Sequence, residues 1–348
     1  MGPVKTAVLV DTAIPVDPAI PVDPAIPVDI EHARSVAVTA VEAAGALLRE
    51  GTVKDLGTRA KGPNGDVVTD LDFAAERLIV GHLRHDFPSH RIIAEESGLL
   101  DADDSSWTWL VDPLDGTNNV VIGLNAYVVG IALCKDRVPV LGVVHDPVAG
   151  RTWSAVRGRG TRGPGGTRLY PPDRPVTGAP VLAWTQGHGV GRTDDTARAL
   201  RTVLESGSRR VLQLWAPLLC WVMLARGDID GFVGYRPEMV DLPAGSLIAQ
   251  EAGITVRSLD GSPFDERIDL PATRRSFVAG RSEIIPDIVA MVQAAEPISI
   301  GGSPRKQQGP DAHGHRNGRQ TETGEHELAQ RHAKAVVAAG LQTQQRRQ

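Results

Sequence analysis

Cysteine is scarce in this sequence, and its scarcity limits the kinds of site the chain can build. The two cysteines, Cys134 and Cys220, both lie in apolar runs. Two such residues can form neither a disulfide framework nor a cysteine-ligated metal site. Buried free thiols are typical of a reducing compartment, so we expect a cytoplasmic protein.

Long uninterrupted apolar runs are also missing. The longest, at 120–134 and 211–225, are interrupted by polar residues or proline, and a transmembrane helix needs about 20 consecutive apolar residues. The first 30 residues contain one basic residue, Lys5, and an apolar run of only four residues. Such a run is too short for the apolar region of a signal peptide. We therefore expect no membrane partner.

The sequence has no excess of basic residues. It contains 37 Lys and Arg against 42 Asp and Glu, which gives a net charge of −5, and the basic residues are spread along the chain. Nucleic-acid-binding proteins usually show a clustered basic surface, so no nucleic-acid partner is predicted. An acidic substrate would have to be bound locally, by metal ions or backbone amides. The 348 residues, 41% of them hydrophobic, suffice for a large core.

Composition divides the chain into three parts. Residues 13–30 repeat a hexapeptide with regularly spaced prolines, which excludes helix and central strand, so residues 1–30 are predicted to be a disordered Pro-rich leader. Residues 297–348 are rich in Gly, Gln, Arg and His and are predicted to be a disordered tail, apart from a short helix around 326–339. The folded domain is expected over residues 31–296.

Helical and strand-like patterns alternate within that domain. Apolar residues at helical spacing predict a first helix over 30–50, and a second helix follows a short strand and runs through about Arg84. From residue 180 onward, strands and helices alternate up to a last helix over about 284–294. The pattern predicts a mixed fold of the α/β or α+β class. Further short strands are predicted at 91–96, 127–134 and 138–144.

The most informative stretch is an apolar run that ends in acids. It delivers Asp112 and Asp115 on a bend that Pro113 stiffens, which favours a preformed cluster. Carboxylate and carbonyl oxygens are the ligands that Mg²⁺ prefers. Gly116 lets backbone amides approach an anion, and Thr117 can turn its hydroxyl toward the site. Taken alone, however, the motif is more typical of an Asp-Gly turn with solvated acids.

Companion acids change this interpretation. Like charges at short range raise each other's pKa, so a cluster of acids requires cations. Two divalent ions about 3.5 to 4 Å apart would neutralise it and clamp the attacking and leaving oxygens of a phosphoryl displacement. This predicts a metal-dependent phosphatase acting on a small phosphorylated metabolite. The acids that share a position at strand ends or strand-to-helix turns are Asp72, Glu95, Glu96, Asp112, Asp115 and Asp241.

Four segments in this order and spacing resemble the inositol monophosphatase family over about residues 31–296. The resemblance implies a layered αβαβα sandwich of the inositol monophosphatase and fructose-1,6-bisphosphatase type. It also implies a Mg²⁺-dependent, lithium-sensitive phosphomonoesterase with two to three ions. Homodimers are common in such a family and are an open alternative here. The segments are Lys61 with Asp66–Asp72, Ala94–Ser97, Asp112–Asn119, and Asp241 with Glu251–Gly253.

The resemblance assigns the metal ligands. Glu95, Asp112 and the carbonyl of Leu114 would hold the first ion. Asp112, Asp115 and Asp241 would hold the second, and a weaker third ion would contact Glu95.

Catalytic and substrate-binding roles also follow from the resemblance. Thr117, paired with Asp72, would orient or deprotonate the attacking water. Glu96 would support the metal ligands, and Lys61 would lie near the water and the phosphate. The substrate-binding candidates are Gly116, Thr117, Asn118 and Asp241.

The sequence departs from the family pattern mainly around the alcohol pocket. Ala94 replaces a glycine, which is a mild change, while Val120 and Val240 stand where aromatic residues are usual. Residues 216–219 replace a run of small residues, and Gly234 replaces an acid that often binds inositol hydroxyls. These changes predict a pocket that differs from one built for inositol.

Three alternatives were weighed. A haloacid-dehalogenase-type phosphatase needs an Asp-x-Asp motif, whereas Asp112 and Asp115 are three residues apart. Related phosphatases for a 3',5'-bisphosphonucleotide, histidinol phosphate, fructose bisphosphate or aminocyclitol phosphate remain open. A catalytically silent scaffold would have lost a metal ligand or the threonine, and this chain retains all of them.

Overall fold

The computed structural model describes five stretches of the chain, residues 28–51, 56–61, 64–100, 105–170 and 178–295. Residues 1–27 of the predicted leader, the predicted tail and its short helix lie outside the described residues. No helix within the described stretches is both long and apolar enough to cross a membrane.

Two long helices form the first layer. Helix α1 spans Ile30–Gly51 and buries a stripe of mainly small residues, and α2 spans Asp70–Asp86 and packs against it. Asp29 caps α1, because its Oδ1 accepts hydrogen bonds from the amides of Glu31 and His32. Between the helices lies a small antiparallel hairpin of β1 (Arg59–Lys61) and β2 (Asp66–Val68).

An eight-stranded sheet forms the second layer, with the order β10-β9-β8-β7-β6-β5-β3-β4. The central strand β5 is parallel to β3 and antiparallel to β6. The short helix α3 (Thr117–Val121) follows β5 directly. The strands are β3 (Arg91–Ala94), β4 (Gly98–Leu99), β5 (Trp107–Asp115), β6 (Val128–Lys135), β7 (Val138–Asp146), β8 (Arg151–Val156), β9 (Thr161–Arg162) and β10 (Arg168–Leu169).

Strand β5 is buried along its whole length. Successive side chains of a strand point to opposite faces of the sheet, and both faces are covered here. Leu110 belongs to one hydrophobic core, whereas Trp109 and Val111 belong to another. The strand therefore reads as a continuous apolar run rather than as an alternating pattern.

A five-stranded sheet with the order β12-β11-β13-β15-β14 forms a further layer. Its strands are β11 (Val181–Gln186), β12 (Arg210–Leu212), β13 (Gly231–Tyr235), β14 (Thr255–Arg257) and β15 (Phe277–Gly280). The helices of this half are α4 (Asp195–Gly207), α5 (Pro217–Arg226), α6 (Pro243–Glu251) and α7 (Ile285–Gln293).

The elements stack as an αβαβα sandwich, which confirms the predicted architecture. Helices α1 and α2 cover one face of the large sheet, while α5 and α6 contact its other face and also strands β13 and β14 of the small sheet. Helices α4 and α7 contact the small sheet and form the last layer. Three hydrophobic cores fill the spaces between these layers.

Candidate active site

The strand that carries the two central carboxylates ends in an irregular pairing. Asp112 is paired with Gly130 of β6 and Asp115 with Val128, so three steps along β5 match two along β6. One extra residue therefore bulges from β5. Pro113 lies inside this β-bulge, where its missing N–H disturbs the ladder least. The bulge brings both carboxylates to the wall of one cavity.

Asp115 is held by the start of helix α5. Its Oδ2 accepts hydrogen bonds from the backbone amides of Leu218 at 2.7 Å and Leu219 at 3.3 Å. These amides belong to the positive end of the helix, which favours a negative charge. Burial and the nearby Asp241 outweigh them and raise the pKa of Asp115 well above its usual range.

Asp112 makes a local turn within the bulge. Its Oδ1 accepts a hydrogen bond from the Leu114 amide at 3.1 Å, and the side chain is buried. Burial raises the pKa of Asp112 well above its usual range, and repulsion from Glu95, Asp115 and Asp241 adds to this effect.

Thr117 and Asp72, which the resemblance pairs, lie within hydrogen-bond distance of each other. Thr117 Oγ1 lies 2.7 Å from Asp72 Oδ1 and 3.0 Å from the Leu114 carbonyl oxygen. Asp72 Oδ2 accepts from the amide of Thr69 at 2.8 Å and from its hydroxyl at 2.6 Å, at the start of α2. The helix start thus fixes Asp72, and Asp72 in turn fixes the Thr117 hydroxyl.

Gly116 permits the sharp turn between β5 and α3. Its φ is 105°, in the left-handed region that favours glycine, and a Cβ there would lie 2.8 Å from the carbonyl oxygen of Ala126. Because both the conformation and the close approach exclude a side chain, the turn requires glycine.

The paired glutamates after β3 bind a lysine. Lys61 Nζ lies 2.6 Å from Glu95 Oε1 and 2.7 Å from Glu96 Oε1. Burial opposes the charge on Lys61, but the two carboxylates outweigh it and raise its pKa. Burial likewise raises the pKa of Glu96, against the effect of Lys61. Lys61 therefore supplies positive charge at the edge of an acidic cluster.

Glu76 supports this turn, and the sequence analysis missed it. Its carboxylate accepts hydrogen bonds from the Glu96 amide at 2.8 Å and from the Ser97 hydroxyl. The side chain is buried on α2, one turn after Asp72. The available signal was an acid four residues from Asp72, on the same face of a predicted helix.

Asp241 reaches the site from the other half of the sandwich. It lies between β13 and α6, and its Oδ2 accepts a hydrogen bond from the Glu238 amide at 3.2 Å. Burial raises the pKa of Asp241 to about 7, with a contribution from Glu95, whereas His188 lowers it.

The candidate residues surround a cavity of about 740 Å³. Asp72 and Glu96 do not line it, but they hold Thr117 and Lys61, which do. Asn118 lines it as well, and its amide nitrogen lies 3.3 Å from Asp66 Oδ1. The predicted residues on its wall are Lys61, Glu95, Asp112, Leu114, Asp115, Gly116, Thr117, Asn118 and Asp241.

A large part of the remaining wall was not anticipated. This part comes from residues 184–215 and contains two arginines, a histidine and two tryptophans. No motif pointed to these residues, since they are dispersed over β11, the loop after it, α4 and the segment before α5. Only the packing of the small sheet brings them to the acids.

The donor set suits Mg²⁺, although no preformed coordination shell is observed. Among the described residues, no group of three or more His, Cys, Asp or Glu side chains is placed to hold a metal ion, so the metal-ligand set stays a prediction. The buried acids nevertheless offer only hard oxygen ligands, and burial together with their mutual repulsion raises their pKa values. A divalent cation would offset that repulsion.

The structure explains why glycine stands at position 234, where the family pattern has an acid. A Cβ at this position would lie 2.2 Å from the Phe277 ring, and Gly234 is buried in β13. A side chain at this position would therefore meet the Phe277 ring, and the position cannot supply an acid to the cavity.

The layered fold and the acidic cavity at the end of a buried strand define a protein of the phosphatase superfamily that shares this architecture. The sequence matches the profile of the inositol monophosphatase family over residues 29–294. The chain belongs to the inositol monophosphatase family.

Individual relatives agree with this assignment. Inositol monophosphatase 1 of Solanum lycopersicum is 34% identical over 255 residues, covering 68% of this chain and 88% of that protein. The Nus factor SuhB of Pasteurella multocida is 34% identical over 266 residues, which cover 74% of this chain and 95% of that protein. The crystal structure of SuhB from Bartonella henselae is 26% identical with a TM-score of 0.68, covering 75% of this chain and 98% of that one.

Proposed function

We propose that the protein is a Mg²⁺-dependent phosphomonoesterase that acts on the phosphate ester of a small polyol, such as an inositol, sugar or cyclitol phosphate. The observation that carries this proposal is that Asp112, Asp115 and Asp241 line one cavity together with Thr117, whose hydroxyl Asp72 holds from behind. Two to three ions would neutralise the cluster. Family membership and relatives named inositol monophosphatase support the proposal.

The ligands are proposed from the chain's own oxygen atoms. Glu95, Asp112 and the Leu114 carbonyl would hold one ion, and Asp112, Asp115 and Asp241 a second. When bound, Mg²⁺ lowers the pKa of water and offsets the charge of the phosphate.

Thr117 is proposed to position the attacking water. Its hydroxyl donates to Asp72, at 2.7 Å, so its oxygen lone pairs remain available to accept a hydrogen bond from water and orient it. The turn at Gly116 would present amides to the phosphate, together with Asn118. Lys61 would add positive charge on the side of Glu95.

Replacing the shared ligand tests the mechanism. Asp112→Asn removes a charge that both ions need, so we expect Mg²⁺-dependent phosphate release to fall at least 100-fold. Removing like-charge repulsion should not lower the melting temperature. Asp136→Asn, at an exposed acid in the β6–β7 turn, is the matched control. Turnover of Asp112→Asn within threefold of wild type would overturn the assignment.

The alcohol is identified by a phosphate-release screen. Inositol, sugar, aminocyclitol, nucleotide and histidinol phosphates would be compared with Mg²⁺, without it and with added Li⁺. We expect release only with the divalent ion and inhibition by Li⁺. A 3',5'-bisphosphonucleotide, histidinol phosphate or fructose bisphosphate as the best substrate would select the alternative within the superfamily.

A catalytically silent scaffold is the candidate of another class, because a relative is named Nus factor. The retained acids and the intact Thr117–Asp72 pair favour the enzyme. We further propose that the protein works in the cytoplasm on a small metabolite, without a nucleic-acid or membrane partner. Binding of RNA by the purified chain, with no phosphate release from any ester, would favour the scaffold.

A further inference from the structure

The cavity wall has two electrostatically different sides. Its acids are Asp66, Glu95, Asp112, Asp115 and Asp241, all outside the segment 184–215. That segment contributes Arg192, Arg201 and His188 to the wall and no acid. A site for a single phosphate requires positive charge beside the metal ligands. It does not explain a second basic region on a different segment of the chain.

The two arginine side chains have no partner among the described residues. Within the described part of the chain, neither Arg192 nor Arg201 makes an ion pair or hydrogen bond with the protein. By contrast, Arg198, three residues before Arg201 on α4, lies 3.7 Å from Asp195 and does not line the cavity. Arginine presents a planar fork of donors that matches carboxylate and phosphate groups.

Strand β11 contributes uncharged residues to the same wall, namely Trp184, Thr185 and Gln186. The Trp184 side chain is only 1% exposed and belongs to a hydrophobic core. The basic groups that this part of the chain brings to the wall are therefore Arg192, Arg201 and His188.

The loop that carries Arg192 is held against the hairpin near Lys61. The side-chain amide of Asn64 donates to the carbonyl of His188, and Arg192 Nη2 lies 3.6 Å from where a Cβ of Gly65 would be. The basic segment therefore borders the same cavity mouth as the hairpin.

We propose that the leaving alcohol of the substrate carries a second anionic group, a carboxylate or a phosphate, which Arg192 and Arg201 bind. This inference rests on the proposed phosphatase function and narrows its substrate class. A neutral polyol would leave both guanidinium groups unpaired, whereas a dianionic ester would engage both sides of the cavity.

Binding of non-hydrolysable phosphonates tests the second site without requiring turnover. Isothermal titration calorimetry of the full chain in excess Mg²⁺ would compare 4-hydroxybutylphosphonate, 5-phosphonopentanoate and butane-1,4-bisphosphonate. We expect at least one anionic-ended ligand to bind at least tenfold more tightly than the hydroxyl-ended one. Whichever anionic ligand shows the larger increase in affinity over the hydroxyl-ended ligand identifies the second group as a carboxylate or a phosphate.

Variants test whether the two arginines cause the tighter binding of anionic-ended ligands. Arg192→Ala and Arg201→Ala should each reduce this preference at least threefold, and the double variant should abolish it. Arg201→Lys, which keeps the charge without the fork, should retain part of it. Arg198→Ala, on the same helix but outside the cavity, should leave it unchanged. Equal binding of all three ligands by wild type, or a preference that survives the double variant, would overturn the proposal.

Phosphate release from matched esters tests the anion site and the phosphatase function separately. The corresponding esters, 4-hydroxybutyl phosphate and 5-(phosphonooxy)pentanoate, should both release phosphate, with a lower KM for an anionic end and similar kcat. Release from neither ester, with the binding preference intact, overturns the phosphatase function and supports the anion site. Release from both, with no preference in binding or KM, overturns the anion site alone.

Discussion

Thr117 shows how much of the site depends on one hydroxyl. Its oxygen is 2.7 Å from Asp72, a carboxylate that also accepts two hydrogen bonds from Thr69. Burial raises the pKa of Asp72, and these hydrogen bonds lower it. Since Asp72 is buried and lies behind Thr117, it positions the threonine, and only Thr117 lines the cavity.

Removing the hydroxyl without changing the shape tests this arrangement. Thr117→Val keeps the branched side chain but leaves Asp72 with one fewer donor, so we expect kcat to fall about 10²- to 10⁴-fold. Thr117→Ser keeps the hydroxyl and should retain at least a tenth of the activity. The measurement is Mg²⁺-dependent phosphate release together with thermal melting. Equal activity of the Val and Ser variants would exclude a role for the hydroxyl.

Helix α2 is the element that organises one side of the site. Asp72 and Glu76 lie one turn apart on its buried face, and each holds a different segment. Asp72 holds the start of α3, whereas Glu76 holds the turn with Glu96 and Ser97. A shift of this helix would therefore move the threonine and the paired glutamates together.

The supporting role of α2 predicts a change in metal affinity. Glu76→Gln loses one acceptor oxygen, so either the Glu96 amide or the Ser97 hydroxyl loses its partner. Loss of such supporting contacts typically weakens metal binding 10- to 100-fold. We therefore expect the Mg²⁺ concentration for half-maximal turnover to rise by about 10- to 100-fold, while kcat at saturating Mg²⁺ changes less than threefold. Arg77→Ala, at the exposed neighbouring position, is the control. An unchanged Mg²⁺ requirement in Glu76→Gln would contradict this role.

At the scale of the whole molecule, the layers bury polar groups that titrate near neutral pH. His90 packs between the rings of Phe87 and Trp107, with centroid distances of 5.0 Å and 5.7 Å. Its Nδ1 accepts a hydrogen bond from the indole of Trp109 at 3.1 Å. Burial lowers the pKa of His90 below its usual 6.5. His145, buried beneath α1, has its pKa lowered by burial as well.

These histidines predict an acid-sensitive fold. Because their pKa values are lower in the folded state, a falling pH protonates the unfolded chain first, and the free energy of unfolding decreases below about pH 6.5. His90→Gln should reduce this dependence by up to about 1.4 kcal/mol per pH unit. Urea unfolding of the wild type and of His90→Gln at pH 7.5 and 5.5 measures how the free energy of unfolding changes with pH in each protein. The effect of the carboxylates is common to both and cancels in the comparison. Parallel pH dependences would rule out His90 as a contributor.

Local chemistry made much of the site predictable from the sequence. Pro113 between Asp112 and Asp115 indicated a stiff bend, and the structure has a bulge there. Gly116 was expected to let backbone amides approach an anion, and the structure adds that its φ is 105°, a value that other residues rarely adopt. Helical spacing and apolar runs, together with the family resemblance, predicted the layered fold. These features depend on neighbours within a few residues, so the sequence contains them directly.

Only the tertiary structure decided which distant residues share the cavity. Asn119 donates to the carbonyl of Leu214 across 95 residues, which ties α3 to the segment before α5. Arg192 and Arg201 reach the wall because α4 and β11 pack as they do. Neither contact leaves a periodic or local mark in the sequence, because burial and long-range contact are set by how the layers stack. The sequence by itself determined the local bend and turn that carry Asp112, Asp115 and Thr117, and the packing of the layers decided which distant residues lie beside them.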